Sequence, residues 1–369
     1  MGVSAAVLSA EKMQASVRSC RYCPMCHHAD LTVTLQRRET YSARGRGLAL
    51  FAAGQGKLPR DAAFAEVMYG FFADGLCQHV CAGHISHDDM VIEARHQFVA
   101  AGRQPEAVAR VNSNIQETGN PWGNAEPDLL SLPGVNPRRE VLAYFGPTAR
   151  VKRPAVLSAL ARLLKAAGVE FSVMRDEGDP GLLLYQLGEV EAGEQAAKAL
   201  ARRIADSGAR IIITPDADAY RTMKVGFGEV TPLSAVKIQH TSEFLSRLAG
   251  ELKLHQQKRL RVAYHDPCAL ARFAPCLEAP RAILTTVCER EPLEIGAWSR
   301  DLAHCSGECG GVPFTLPKLS RQAAQHRIHA AQEVGAELMV AGSPGAAASL
   351  EGSGMPVQEL CEFLGDCLT

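Results

Sequence analysis

LAYFGPTAR (142–150) returns as VAYHDPCALAR (262–272), and GARIIITPDADA (208–219) returns as GAELMVAGSPGAA (335–347). Self-similarity of this kind marks a repeated structural unit. Outward from the first copy, EVLAYF (140–145) has the apolar, β-prone composition of a strand. Pro154 then opens a helix that sets Val156, Leu157, Leu160, Leu163 and Leu164 on one face and ends at Gly168. VEFSVM (169–174) is the next strand, and a helix over about 190–207 runs into Gly208 and the buried-type strand RIIIT. Strands that alternate with helices imply a parallel sheet with helices packed on its faces. The C-terminal two-thirds is therefore expected to be a duplicated α/β unit.

The N-terminal third has a different texture. It reads as helical and irregular, with candidate helices near 61–73 and 87–101. GNPWGNAEPDLLSLPGVNPRR (119–139) is dense in Gly, Pro and Asn, lacks apolar periodicity and reads as a linker. The expected division is 1–135, helical with its linker, then α/β repeats at 136–250 and 251–369. A chain of 369 residues is long enough for several cores. Its 39 basic and 40 acidic residues create no field to gather nucleic acid or an anionic membrane. The start of the chain lacks a basic segment followed by a long apolar core, and no run reaches the roughly 18 apolar residues of a membrane span. A cytoplasmic protein without a transmembrane segment is expected. In that reducing setting the twelve cysteines point to metal or redox work rather than disulfides.

SCRYCPMCHHAD (19–30) spaces Cys20, Cys23 and Cys26 as the opening of a bacterial-type iron–sulfur motif, with Asp30 where the fourth cysteine is due. In two-cluster ferredoxins that fourth cysteine ligates the other cluster. Laying the same spacing so that it ends on Cys81 places Phe71, Asp74 and Cys77 at its first three positions. Cys81 then completes the set of Cys20, Cys23 and Cys26. A second cluster would have to rest on Phe71, Asp74, Cys77 and Asp30, and phenylalanine cannot ligate iron. One [4Fe-4S] cluster is expected here, with Cys77 a buried structural thiol and the reserve ligand. Structural zinc is the competing reading, although zinc sites favour paired C-x2-C knuckles over this triplet.

A second constellation lies in the later repeat: Cys268 in YHDPCALAR, and Cys305 and Cys309 in HCSGECGG. Loops after parallel strands are where such sheets build their sites. These three thiols are either a second iron–sulfur site or ordinary buried residues, and His265 and His304 adjoin them as nitrogen ligands or hydrogen-bonded side chains. Cys276, Cys288, Cys361 and Cys367 show no ligand spacing and are assigned to the core. Gly45 and Gly47 follow no strand and precede no G-K-[ST], so they make no phosphate loop. Arg37, Arg38, Arg44 and Arg46 are either a dock for an acidic partner or a solvated face. No GxGxxG follows a strand, so neither flavin nor nicotinamide is expected on this chain.

CRYCPMC, GLCQHVC, GNPWG, YHDPC and CSGECGG together, in this order, resemble the iron–sulfur subunits related to heterodisulfide reductase, the class that includes those of anaerobic glycerol-3-phosphate dehydrogenase, glycolate oxidase and lactate-utilisation systems. The resemblance implies a ferredoxin-like helical domain joined to two cysteine-rich CCG repeats. It also implies an electron-transfer subunit that serves a flavoprotein dehydrogenase or oxidase, or another electron-transfer protein. Heterodisulfide-reductase-like thiol–disulfide catalysis, or a docking and assembly role, are the alternatives. The departures are pronounced. The CCG position of the first repeat reads Asp179, Pro180, Gly181, its C-x2-C position reads Asp216 and Ala219, and an earlier cysteine is replaced at Pro147 or Thr148. In the second repeat the same positions read Cys305, Ser306, Gly307 and then Ser343 and Ala346. The first repeat is therefore expected to be scaffold alone.

Overall fold

Ile211, Ile212 and Ile213 are β-branched, and in the computed structural model, described over residues 10–369 except 133, 134, 136, 137 and 258, they form the middle of a parallel sheet. The strands are β1 (Val141–Ala143), β2 (Phe171–Ser172), β3 (Ile211–Thr214) and β4 (Lys237–His240), ordered β2-β1-β3-β4. A second parallel sheet, ordered β5-β6-β7, holds β5 (Val262–His265), β6 (Leu338–Ala341) and β7 (Val357–Glu359). β1 and β5 come from the first repeated stretch, β3 and β6 from the second. The strand expected at 169–174 is only two residues long, because only Phe171 and Ser172 pair with β1. In the second sheet that edge is a single bridge between Ala263 and Leu293.

The helix Pro154–Ala166 has proline at its start and buries Val156, Leu157, Leu160, Leu163 and Leu164, the face read from the periodicity. It packs on the last helix of the chain, Leu360–Asp366, while Thr241–Arg247 packs on Glu278–Cys288. Each repeat thus lends a helix to its counterpart. One core results, from Phe145 and Ile213 of the first sheet to Tyr264 and Val340 of the second. Both last helices open on a capping box, at His240 with Glu243 and at Glu359 with Glu362.

The N-terminal third is helical, including Ala62–Tyr69 and His87–Ala100 near the expected positions. Its core of Met13, Leu50, Met68, Phe98 and Val111 continues into Leu184 and Leu187 of the first repeat. Arg95 joins three regions from full burial, donating to Met68 O and Phe71 O, to Gln186 O at 2.6 Å and to Gly310 O at 2.8 Å. The linker-like segment is irregular but packed: Asn120 Oδ1 accepts the N–H groups of Trp122 and Asn124, and Trp122 lies 6.1 Å from the Phe314 ring.

Candidate metal centre

Cys268 caps a short π-helical turn, Ala269–Phe273, just after β5, while Cys305 and Cys309 flank the loop before Val312–Thr315. Their three Sγ atoms lie within 4.8 Å of one another, all buried. Among the described residues no other group of three ligating side chains is as close. The Gly307 N–H donates to Cys305 Sγ at 3.3 Å. Burial pushes the Cys305 thiol up, but hydrogen bonds from Cys268 and Cys309 outweigh it and lower its pKa, while both donors are raised.

Gly310 has φ +66°, and a Cβ there would stand 2.5 Å from Phe71 O and 2.6 Å from Phe72 O. Phe72, Leu31 and Val312 cover the thiols. Arg272 follows Cys268 by one turn and reaches across to Asp74 O at 2.7 Å. Its Nη1 donates to Asp301 O and Ala303 O, but its buried Nη2 has no hydrogen-bond acceptor. Three clustered buried thiols beside a guanidinium nitrogen without a hydrogen-bond acceptor suit an anionic iron–sulfur group, since thiolates are its ligands and its charge supplies the acceptor.

At the N-terminus Cys23 is exposed, Cys20 and Cys81 are partly buried and Cys26 is buried. The Tyr22 N–H donates to Cys20 Sγ at 3.4 Å. Burial raises the Cys26 thiol to about 11, and the charges of Asp30, Cys20 and Cys81 add to the rise. Cys81 therefore lies in electrostatic reach of Cys20 and Cys26. Cys77 is buried on Leu76–His79, with its thiol pushed up by burial and by Asp30 and Asp74. Arg46 is not on a solvated face. It is buried, its Nη1 is 3.4 Å from Asp30 Oδ2, and its guanidinium lies 4.8 Å from the Phe71 ring. Asp30 is thus paired with Arg46 over the Phe71 ring, Asp74 Oδ1 accepts from Leu76 N, and both acids act electrostatically on Cys77.

The positions that read as lost cysteines have other work. Asp216 Oδ1 accepts the Ala219 N–H at 2.9 Å, and Ser343 Oγ accepts the Ala346 N–H at 3.1 Å, so each pair is a helix N-cap and its third residue. Asp179 Oδ1 accepts from Gly181 N at 2.7 Å. Asp179 and Asp216 line a cavity of about 650 Å³ between the repeats, with Pro147, Thr148 and Glu308. Burial lifts their carboxyls to about 6 and about 7. Cys276, Cys288, Cys361 and Cys367 are all buried.

The cysteine-rich CCG domain family matches residues 142–224 and again 262–351, one match on each sheet. A 27% identity over 326 residues, 84% of this chain and 78% of the other, links it to one of the subunits of the dihydromethanophenazine:CoB–CoM heterodisulfide reductase of Methanosarcina acetivorans. The chain belongs to the heterodisulfide-reductase-related CCG iron–sulfur family. It is also 31% identical over 311 residues to a probable membrane-anchored ferredoxin of Chromohalobacter salexigens, a match spanning 78% of this chain and 45% of that protein. A probable iron–sulfur-binding oxidoreductase of Bacillus subtilis is 24% identical over 335 residues, 82% of this chain and 47% of its own length. The chain therefore spans less than half the length of these last two relatives. Among the described residues no helix is long and apolar enough to cross a membrane.

Sequence reasoning missed the arginines of this CCG protein. Arg46, Arg95, Arg272 and Arg327 are buried to 3% exposure or less at the side chain or whole residue, and they bind mostly backbone carbonyls. No partner residue type betrays them in the sequence.

Proposed function

We propose that the chain is an electron-transfer subunit that carries single electrons between a flavoprotein dehydrogenase or oxidase and a later acceptor. The observation that carries this reading is the buried convergence of Cys268, Cys305 and Cys309 beside an Arg272 nitrogen that has no hydrogen-bond acceptor. In this reading Cys20, Cys23, Cys26 and Cys81 hold one [4Fe-4S] cluster, and the three later thiolates hold a second iron–sulfur group. Such groups supply one-electron redox chemistry when bound. The protein's own residues fix the ligands, exclude water and set the local charge. Cys81 is favoured over Cys77 because it acts electrostatically on both Cys20 and Cys26, whereas Cys77 is fully buried and subject to Asp30 and Asp74 as well as Cys26. Asp74 and Gly75 adjoin Arg272 and Phe273, which packs the segment leading into Cys77 and Cys81 against the turn that follows Cys268.

The cavity favours a second reading, thiol–disulfide catalysis, because its wall residue Glu308 adjoins Cys309 and acts electrostatically on Cys268. The protein purified without oxygen, reduced, and mixed with a one-electron acceptor or with organic disulfides separates the two. Electron transfer predicts rapid reoxidation by the acceptor and no catalytic turnover of disulfides. Multiple turnovers of a disulfide would replace this reading with the second.

A further inference from the structure

Arg272 is one of several buried donors around the later thiols that lack an acceptor. Arg327 Nη2 and His265 Nε2 are the others that matter here. His265 is fully buried and Arg327 nearly so. Leaving a buried donor unpaired costs its full desolvation, and a charged donor more, so such groups normally surround something that accepts them. Their positions are fixed by their other bonds. Arg272 is held by three backbone carbonyls, with Asp74 Oδ2 at 3.8 Å, beyond hydrogen-bond reach. Arg327 donates from Nη1 to Trp298 O and from Nε to His265 Nδ1 at 3.0 Å.

That last bond settles the role of His265. A neutral imidazole that accepts at Nδ1 carries its proton on Nε2 and is a donor there. Burial and the two arginines keep this ring neutral. His265 Nε2 is thus a hydrogen-bond donor and not an iron ligand. Arg272 acts electrostatically on Cys268, Cys305 and Cys309, and Arg327 acts on Cys268.

Resting on the reading that these cysteines hold an iron–sulfur group, we propose that the cations Arg272 and Arg327, with the neutral N–H donor His265, form the donor half of the site, receive the anionic charge of that group and raise its reduction potential. Reduction adds negative charge without moving the protein, so fixed positive charge and N–H donors favour the reduced form. Asp74 offsets part of the Arg272 charge from 3.8 Å. Arg327 has no carboxylate at ion-pair distance among the described residues, since Asp266 is taken by Arg281 at 2.8 Å. The three are positioning and tuning residues, not ligands.

The test is an anaerobic redox titration of the full chain, followed by electron paramagnetic resonance, with iron counted in every variant. Arg272→Gln and Arg327→Gln should each keep the group and shift its reduction equilibrium about tenfold toward the oxidised form, ~59 mV for a one-electron couple. The Lys variants should keep most of the wild-type potential. Loss of the group from Arg272→Gln but not Arg272→Lys also supports the proposal, since retention then depends on the charge. Unchanged potentials in the iron-loaded Gln variants, or equal losses in Gln and Lys variants, overturn it. Iron and spectrum unaltered when Cys268, Cys305 and Cys309 are all replaced by Ala would instead remove the reading beneath it.

Discussion

Cys77 and Cys81 flank the end of one short helix, yet their surroundings differ. Cys77 is fully buried and feels Asp30 and Asp74 as well as Cys26, whereas Cys81 is partly exposed and acts on both Cys20 and Cys26. Cys81→Ala should therefore remove about four irons per chain, the content of one [4Fe-4S] cluster, and Cys77→Ala should remove none. The opposite pattern would move the ligand to Cys77. Arg46 gives a second expectation. Replacing it with Met leaves Asp30 buried at 3% exposure without its ion pair, a change that costs about 3–5 kcal/mol in other buried pairs. Chemical denaturation should show a loss of that order. Cysteine spacing marked the candidate ligands in the sequence, because coordination constrains spacing. The buried arginines were not legible, because carbonyl acceptors belong to every residue and leave no signature.

At the level of elements, the same hydrogen bonds explain why some cysteine positions could be surrendered. Ser343 now caps the helix Pro344–Leu350. Ser343→Ala should lower stability by about 0.5–2 kcal/mol while the iron content stays unchanged, and a fall in iron would make Ser343 a ligand after all. Gly310 is held to its residue type by positive φ and by the Phe71 and Phe72 carbonyls. Gly310→Ala should cost at least about 1–3 kcal/mol by equilibrium unfolding, the range for a forced left-handed residue, before the carbonyl clash is added. The repeated stretches revealed β1, β3, β5 and β6 because their apolar runs match in order. The pairing of β4 with Thr241–Arg247 and of β7 with Leu360–Asp366 was hidden, since strands of three or four residues ending in polar caps carry little periodicity.

Across the whole molecule, burial raises several carboxyls, with Asp88 and Glu359 each lifted to about 8. The folded state then holds protons that the unfolded chain releases above roughly pH 4. Below about pH 6.5 the buried histidines His87, His240, His265 and His304, kept neutral by burial, oppose this effect. The fall in stability with rising pH should therefore stand out between about pH 6.5 and 8 and level off beyond, opposite to the trend of paired carboxylates. Asp88→Asn should flatten the decline in melting temperature between about pH 6 and pH 8, and an undiminished decline would show that Asp88 does not contribute. The duplicated α/β architecture was legible because each repeat keeps its own strand–helix order. The exchange of helices between repeats was not, since packing between distant segments leaves no local pattern. The proposed electron transfer uses two thiol sites, one in each half of the chain. Iron per chain in the full-length protein, purified without oxygen, tests this directly when wild type is compared with the variant in which Cys268, Cys305 and Cys309 are all Ala. The account predicts that the variant retains about four irons, those of the N-terminal [4Fe-4S] cluster, and fewer than wild type; equal iron in the two proteins would contradict it.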